Sequence, residues 1–354
     1  MKLKSSLLII AAASVSMFAC KKKDDNTVTV TSQQVVTDFV NKLVLPQYAE
    51  LQSRATTLNN AVLVLNATTN NANLAAARNA WRDVRSSWEQ CEGFLIGPVE
   101  DDNYDPNMDT WPMDYQQLDS FTASSASFSA ATLQSVSQSL RGFHPLESIL
   151  WGTTGAATAD SITAKQKEYM VGLAQDILNT CTALNNSWRA SGKNFQNVML
   201  TAGAGSSRFA TRREAMLAIV AGISDICGEV GGGKLLEPFE QYDSTKTESP
   251  FSHNSITDFI NNIKGAQNVY LCTYNMQTGA SMSDFIATRN IALDTKIKNQ
   301  FNAAITALNN ISTTFESAIY TQRTQLQNAM NAINELQATM DEDAKKYVQT
   351  YVAD

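Results

Sequence analysis

ANLAAARNAWRDVRSSWEQCEGFL, residues 72–95, is the stretch that decides the fold class. Trp81, Val84, Trp88, Cys91 and Leu95 recur in it at intervals of three, four, three and four residues, the spacing of a single buried stripe on an α-helix. Beside that stripe Arg85, Glu89 and Glu92 stand at i, i+4 and i+7. Such a row reads first as a solvated set of ion pairs.

The same period recurs on both sides, over about residues 32–66, 129–142, 163–190, 207–230, 255–275 and 283–350, with a break in the last near Ser312. Sustained strand alternation is missing. Ser129 reads as the N-cap of a helix ending at Arg141, with Gly142 as the left-handed residue that stops it. Leu326, Met330, Ile333, Met340, Tyr347 and Tyr351 keep the period almost to the end, which predicts a docked C-terminal helix. Gly231-Gly232-Gly233 and residues 237–250 interrupt the pattern and predict a long loop. The expectation is an all-α protein of two helical-bundle domains with long connecting loops, residues 32–200 and 201–354.

The 354 residues are 44% hydrophobic and 17% charged, with 16 Gly and 7 Pro, enough apolar material for packed cores. The balance of 27 Lys+Arg against 34 Asp+Glu gives −7, and the longest basic block is Lys21-Lys22-Lys23, so the sequence offers nucleic acid no electrostatic footprint. Lys2 and Lys4 precede an apolar run from Leu7 to Ala13 that is too short to span a membrane, which predicts a cleaved signal peptide over residues 1–19. Cys20, directly after Ala19, resembles the lipobox cysteine of bacterial lipoproteins. The resemblance implies a diacylated Cys20, outer-membrane sorting with Lys21 following it, and a polar tether over residues 20–31. Loss of residues 1–19 removes Lys2 and Lys4 and no acid, leaving 25 basic against 34 acidic residues, or −9. Cys91, Cys181, Cys227 and Cys272 are widely spaced without a CxxC, which excludes zinc-finger and thioredoxin chemistry; they read as buried small hydrophobes more readily than as a disulfide.

His144 and His253 are the two histidines of the chain, and neither offers HExxH spacing. GxSxG, P-loop and dinucleotide motifs are also absent. Asp101, Asn103 and Asp105 begin like an EF-hand loop, but Pro106 and Pro112 stand where Gly and Glu are required, so residues 100–119 read as a long surface loop pinned by Trp111-Pro112. What remains is Gly142-Phe143-His144-Pro145-Leu146-Glu147. Pro145 suits the first position of a helix, which puts His144 at its cap and Glu147 at its third residue, able to converge on one cation. On spacing alone the pair reads more readily as a turn histidine and a capping carboxylate than as ligands.

The ordered set Leu45-Pro46-Gln47-Tyr48; Trp81, Glu92, Phe94, Gly97 and Pro98; Asp109-Thr110-Trp111-Pro112 with Asp114; Gly142 to Glu147 and Gly152; and Lys234-Leu235, Glu248-Ser249, Phe251-Ser252, Asn254-Ser255, Asp258 and Gly265 resembles the imelysin-like family of bacterial envelope proteins, whose GxHxxE signature falls on Gly142, His144 and Glu147. The resemblance implies two helical bundles with the signature near the cleft between them. It makes His144 and Glu147 the candidate metal ligands, and Glu92, Asp114, Lys234, Glu248, Ser249, Ser252 and Asp258 the candidates for the ligand cleft. It implies a non-catalytic envelope protein that assists iron or haem-iron uptake, with iron or another divalent metal as ligand and outer-membrane iron-uptake proteins as partners. The alternatives are a metallopeptidase of the insulin-cleaving imelysin type and a surface interaction module. One imidazole falls short of a hydrolytic zinc site, which favours binding.

Overall fold

The computed structural model describes residues 30–124 and 127–353. The expected signal peptide, Cys20 and all of the tether before Val30 lie outside them. Thr31 opens the first helix, α1 (Ser32–Asp38), with a reciprocal capping box to Gln34. A π turn (Phe39–Val44) then leads into α2 (Leu45–Ala67). Pro46 explains the turn: it has no N–H for the i→i−4 ladder, and the Leu45 N–H bonds back five residues to the Val40 carbonyl.

The quoted stretch forms α3 (Asn71–Cys91), capped by Asn70 and finished by a 3₁₀ turn over Glu92–Phe94. The helices that follow and matter for the site are α4 (Tyr104–Asp109), α5 (Phe143–Trp151), α6 (Ala164–Trp188), α7 (Arg212–Glu229), α8 (Ser255–Leu271), α9 (Ile291–Asn309) and α10 (Arg323–Thr339). α2 packs on both α3 and α6, with α5 between α3 and α6; α7, α8, α9 and α10 pack as a second group. α3 lies against α8, and the apolar core runs without interruption from one group into the other. The all-α expectation holds; the described strands are a two-residue hairpin, Thr273–Tyr274 with Gln277–Thr278. Cys91, Cys181, Cys227 and Cys272 are buried free thiols.

Three local expectations change. Ser129 does cap a helix, but this ends at Leu133, and a 3₁₀ turn (Gln138–Leu140) leads to an extended Arg141. The cause is tertiary: the Arg141 guanidinium forks onto the Asp176 carboxylate at 2.9 Å twice, and Tyr169 donates to the Leu140 carbonyl at 2.6 Å. Gly142 does adopt positive φ (+79°), yet it opens α5 instead of closing the preceding helix, and a Cβ there would fall 1.9 Å from the Met108 carbonyl oxygen. α5 therefore starts at Phe143, two residues earlier than Pro145 predicts, and Pro145 still occupies the first turn, where its missing N–H costs nothing. Trp81 Nε1 donates to the Phe143 carbonyl at 3.1 Å and ties this helix start to α3.

The triple glycine does not open a loop. α7 runs on through a π turn (Val230–Lys234) into a further helix, Leu236–Gln241. Residues 100–119 contain α4 and a helix over Tyr115–Thr122, and their Trp111 donates to the Thr247 carbonyl at 2.8 Å. The chain end is docked as expected, with Tyr347 donating to the Phe285 carbonyl at 3.0 Å, although Tyr351 stays half exposed.

α3, α7 and α8 meet through backbone at Gly93, Gly222 and Gly265; a Cβ on Gly265 would lie 2.3 Å from the Gln90 carbonyl oxygen. Gly265→Ala is expected to lower stability by on the order of 1–3 kcal/mol, because main chain rather than a flexible side chain must move. Urea unfolding checks this, with Gly232→Ala as comparison: a Cβ at Gly232 meets nothing within 4 Å.

Candidate functional site

The polar row on α3 does not face water. α8 covers it, so Arg85 and Glu89 are fully buried and Glu92 is 3% exposed. α5 brings His144 and Glu147 to the same place, the end of α4 brings Asp109, the π turn after α7 brings Lys234, and residues 248–262 bring Glu248, Ser249, Ser252, Asp258 and Asn262. Both groups of helices therefore contribute to one buried polar cluster.

Arg85 is its centre. The guanidinium pairs with Asp109, Glu89 and Glu248, the last at 3.1 Å, and Asp258 lies 3.9 Å away. Trp88 Nε1 donates to the other Asp109 oxygen at 2.7 Å. His144 Nε2 is 3.1 Å from Asp109 Oδ1, and His144 Nδ1 is 3.7 Å from Glu147 Oε2, so the GxHxxE pair does converge. Ser252 donates to Glu147 Oε1 from both its N–H and its hydroxyl, at 2.7 and 2.6 Å. Asp258 accepts from the Ser249 hydroxyl and from Asn254 Nδ2, each at 2.7 Å. Asn262 Nδ2 joins Glu89 to Glu92, and the Lys234 ammonium lies 3.3 Å from both Glu248 and Glu229, 3.5 Å from Glu92 and 3.9 Å from Glu89.

Six carboxylates, Glu89, Glu92, Asp109, Glu147, Glu248 and Asp258, thus share a desolvated volume with two permanent cations and one imidazole. Burial, with Glu89 alongside, pushes Glu92 well above the ordinary carboxylate range, and burial pushes Asp258 up to about 8. Burial alone would lower His144, but Asp109 and Glu147 raise it to about 9. Burial also opposes ionisation of Asp109, yet Arg85 and then His144 hold it well below its usual range. The interior carries more acid than fixed positive charge can neutralise, which favours the protonated form at Glu92 and Asp258.

This donor set suits a hard or borderline cation. One ligand atom each from Asp109, His144 and Glu248 lie within 4.8 Å of one another, and so do atoms of Glu89, Glu92 and Asp109. Glu147 Oε2 and Glu248 Oε2 are buried without a hydrogen-bond partner, and neither His144 nitrogen has a well-aligned one. The residues fit a bound metal: Asp109, His144 and Glu248 would hold it, with Glu147 beside the imidazole.

Of the residues singled out from sequence, the structure gathers His144, Glu147, Glu92, Lys234, Glu248, Ser249, Ser252 and Asp258. It does not bring Asp114, which is exposed and caps the Tyr115–Thr122 helix by accepting from Gln117 N at 2.9 Å. His253 is also outside, paired with Glu316 at 2.9 Å on a half-exposed side chain. Arg85, Glu89, Asp109 and Asn262 are the members that sequence reading missed. The signal for Arg85 and Glu89 was their position on the flank of a tryptophan stripe, where a second helix can bury them.

The sequence profile described as Imelysin (Peptidase_M75) matches residues 44–340. A protein of Synechococcus elongatus named iron-regulated protein A is 32% identical over 246 residues, 69% of this chain and 65% of that protein, so the match spans just under two thirds of the relative. A crystal structure from Parabacteroides distasonis, assigned as an iron-regulated protein A precursor, superposes with a TM-score of 0.81 at 25% identity, covering 90% of this chain and 94% of that one. An imelysin-like protein of Psychrobacter arcticum shares the fold, with a TM-score of 0.71 at 12% identity over 88% and 93% of the two chains.

Arg85→Met leaves buried carboxylates without their central counter-charge and is expected to cost on the order of 3–5 kcal/mol at pH 7. The sign with pH follows from Asp109. Its carboxyl is depressed in the folded state, so its contribution is present above its unfolded value of about 3.9 and lost as pH falls below that. The gap between wild type and variant in urea unfolding should therefore persist from pH 7 down to about pH 4 and narrow as the pH falls further towards about 2.

Proposed function

The chain belongs to the imelysin family, and from that premise we propose that it is a non-catalytic binding protein of the cell envelope whose buried acidic cluster holds an iron or other divalent cation. The observation that carries this reading is the excess of buried carboxylate oxygen around a single imidazole, with Glu147 Oε2 and Glu248 Oε2 unpartnered. Oxygen-rich ligation with one nitrogen donor suits ferrous or ferric iron better than a closed zinc site. The names of the Synechococcus and Parabacteroides relatives support an iron-linked role, and haem iron is the alternative cargo. Donors from both sides of residue 200 support a site between two helical domains. Burial of every donor side chain supports binding over proteolysis, since a metallopeptidase must offer its metal and water to a polypeptide.

The sequence around Cys20 supports anchoring in the outer membrane by a diacylated cysteine, with the body facing the periplasm or the cell surface and outer-membrane iron-uptake proteins as partners. Mass spectrometry of the membrane fraction should find the acylated peptide beginning at Cys20.

Anaerobic calorimetric titration with Fe²⁺ should give one saturable site. His144→Ala and Glu248→Gln should each weaken it by about ten- to a hundredfold, whereas Asp114→Ala and His253→Ala should leave it unchanged. Equal affinity in wild type and His144→Ala removes the imidazole from the site and overturns the reading.

A further inference from the structure

A pocket of about 470 Å³ opens beside the cluster, lined among others by Glu92, Glu100, Asp105, Asp225 and Glu229. Arg208, the basic side chain in its lining, is already paired with Asp101 at 2.6 Å. Glu92 belongs both to this pocket and to the buried cluster, so one carboxylate forms part of the wall between them. The Lys234 ammonium bridges the same wall: it contacts Glu229 and Glu92 on the pocket side and Glu248 and Glu89 on the cluster side.

We propose that this acid-lined pocket is the entry vestibule for a divalent cation, and that Lys234 is a tethered cation that occupies the threshold until the incoming ion displaces it. The inference rests on the reading of the cluster as a cation site and adds the route and the competitor. An ammonium on a flexible four-carbon stem is suited to the role, because it supplies one mobile positive charge and no fixed ligand geometry. Glu229 is half exposed and already 3.3 Å from Lys234 Nζ, so the ammonium can keep that partner on the pocket side while it gives up Glu248 and Glu89. A divalent ion brings the greater charge to Glu248, whose Oε2 has no partner while Lys234 is in place. Glu100 and Asp225 lie at the exposed rim, where their field raises the local concentration of cations without touching the bound ion.

The test uses Mn²⁺ alone with the full chain, following quenching of tryptophan fluorescence by stopped flow and affinity by calorimetry. Trp88, hydrogen-bonded to Asp109, serves as the reporter. Lys234→Met should bind Mn²⁺ at least several-fold tighter than wild type, and Lys234→Arg should bind more weakly and more slowly than Lys234→Met. The double variant Glu100→Gln/Asp225→Asn, confined to the surface, should lower the association rate several-fold at low salt with the dissociation rate unchanged, and the difference should vanish near 1 M salt. Wild-type association kinetics in the rim variant, or weaker binding in a folded Lys234→Met, overturns the proposal. If wild type itself binds no Mn²⁺ and no Fe²⁺, the reading of the cluster falls with it; if wild type binds and His144→Ala does not, only the vestibule and Lys234 are at stake.

Discussion

Arg85 is the constraint around which the molecule is arranged. A guanidinium withdrawn from water must be surrounded by acceptors, and here these arrive from α3 itself, from the end of α4, from the segment before α8 and from α8. Satisfying it brings more acid together than it can neutralise. Protons, Lys234 and, in the proposed site, a metal ion are three ways to supply the same missing charge.

The fold class was legible because it depends on periodicity, and periodicity survives without any knowledge of neighbours. Trp81, Val84, Trp88 and Cys91 are all fully buried, as their spacing requires. The site was half legible. His144 and Glu147 sit three apart on one helix, a local relation, and they do meet. Arg85 and Glu89 also stand on one helix, but whether that row meets water or another helix depends on where α8 packs, which no local pattern records. Asp114 shows the opposite error: an acid in a motif-rich neighbourhood whose exposed side chain caps its own helix. Gly142 belongs with these, since its positive φ was readable while its direction, into a helix instead of out of one, was set by the Met108 carbonyl and the grip of Asp176 on Arg141.

Two π turns illustrate how sequence punctuation is used here. Pro46 forces one by lacking an N–H, early in the chain and away from the acids. The other follows α7 and carries Lys234 inward, so a segment that composition marks as a loop is in fact helical and delivers the mobile cation of the cluster.

The contact of α3 and the 3₁₀ turn that ends it with α8, at Gly93 and Gly265, has a consequence for the spacing of the acids. Main chain touches main chain there, so the gap between the two helices is fixed by atoms that have no rotamers, and the acids just beside it, Glu89 and Glu92 on one side and Asp258 on the other, inherit that gap. Such a crossing works as a caliper. In the proposed cation site it would set the span between the two backbones that carry these carboxylates, independently of which ion they receive.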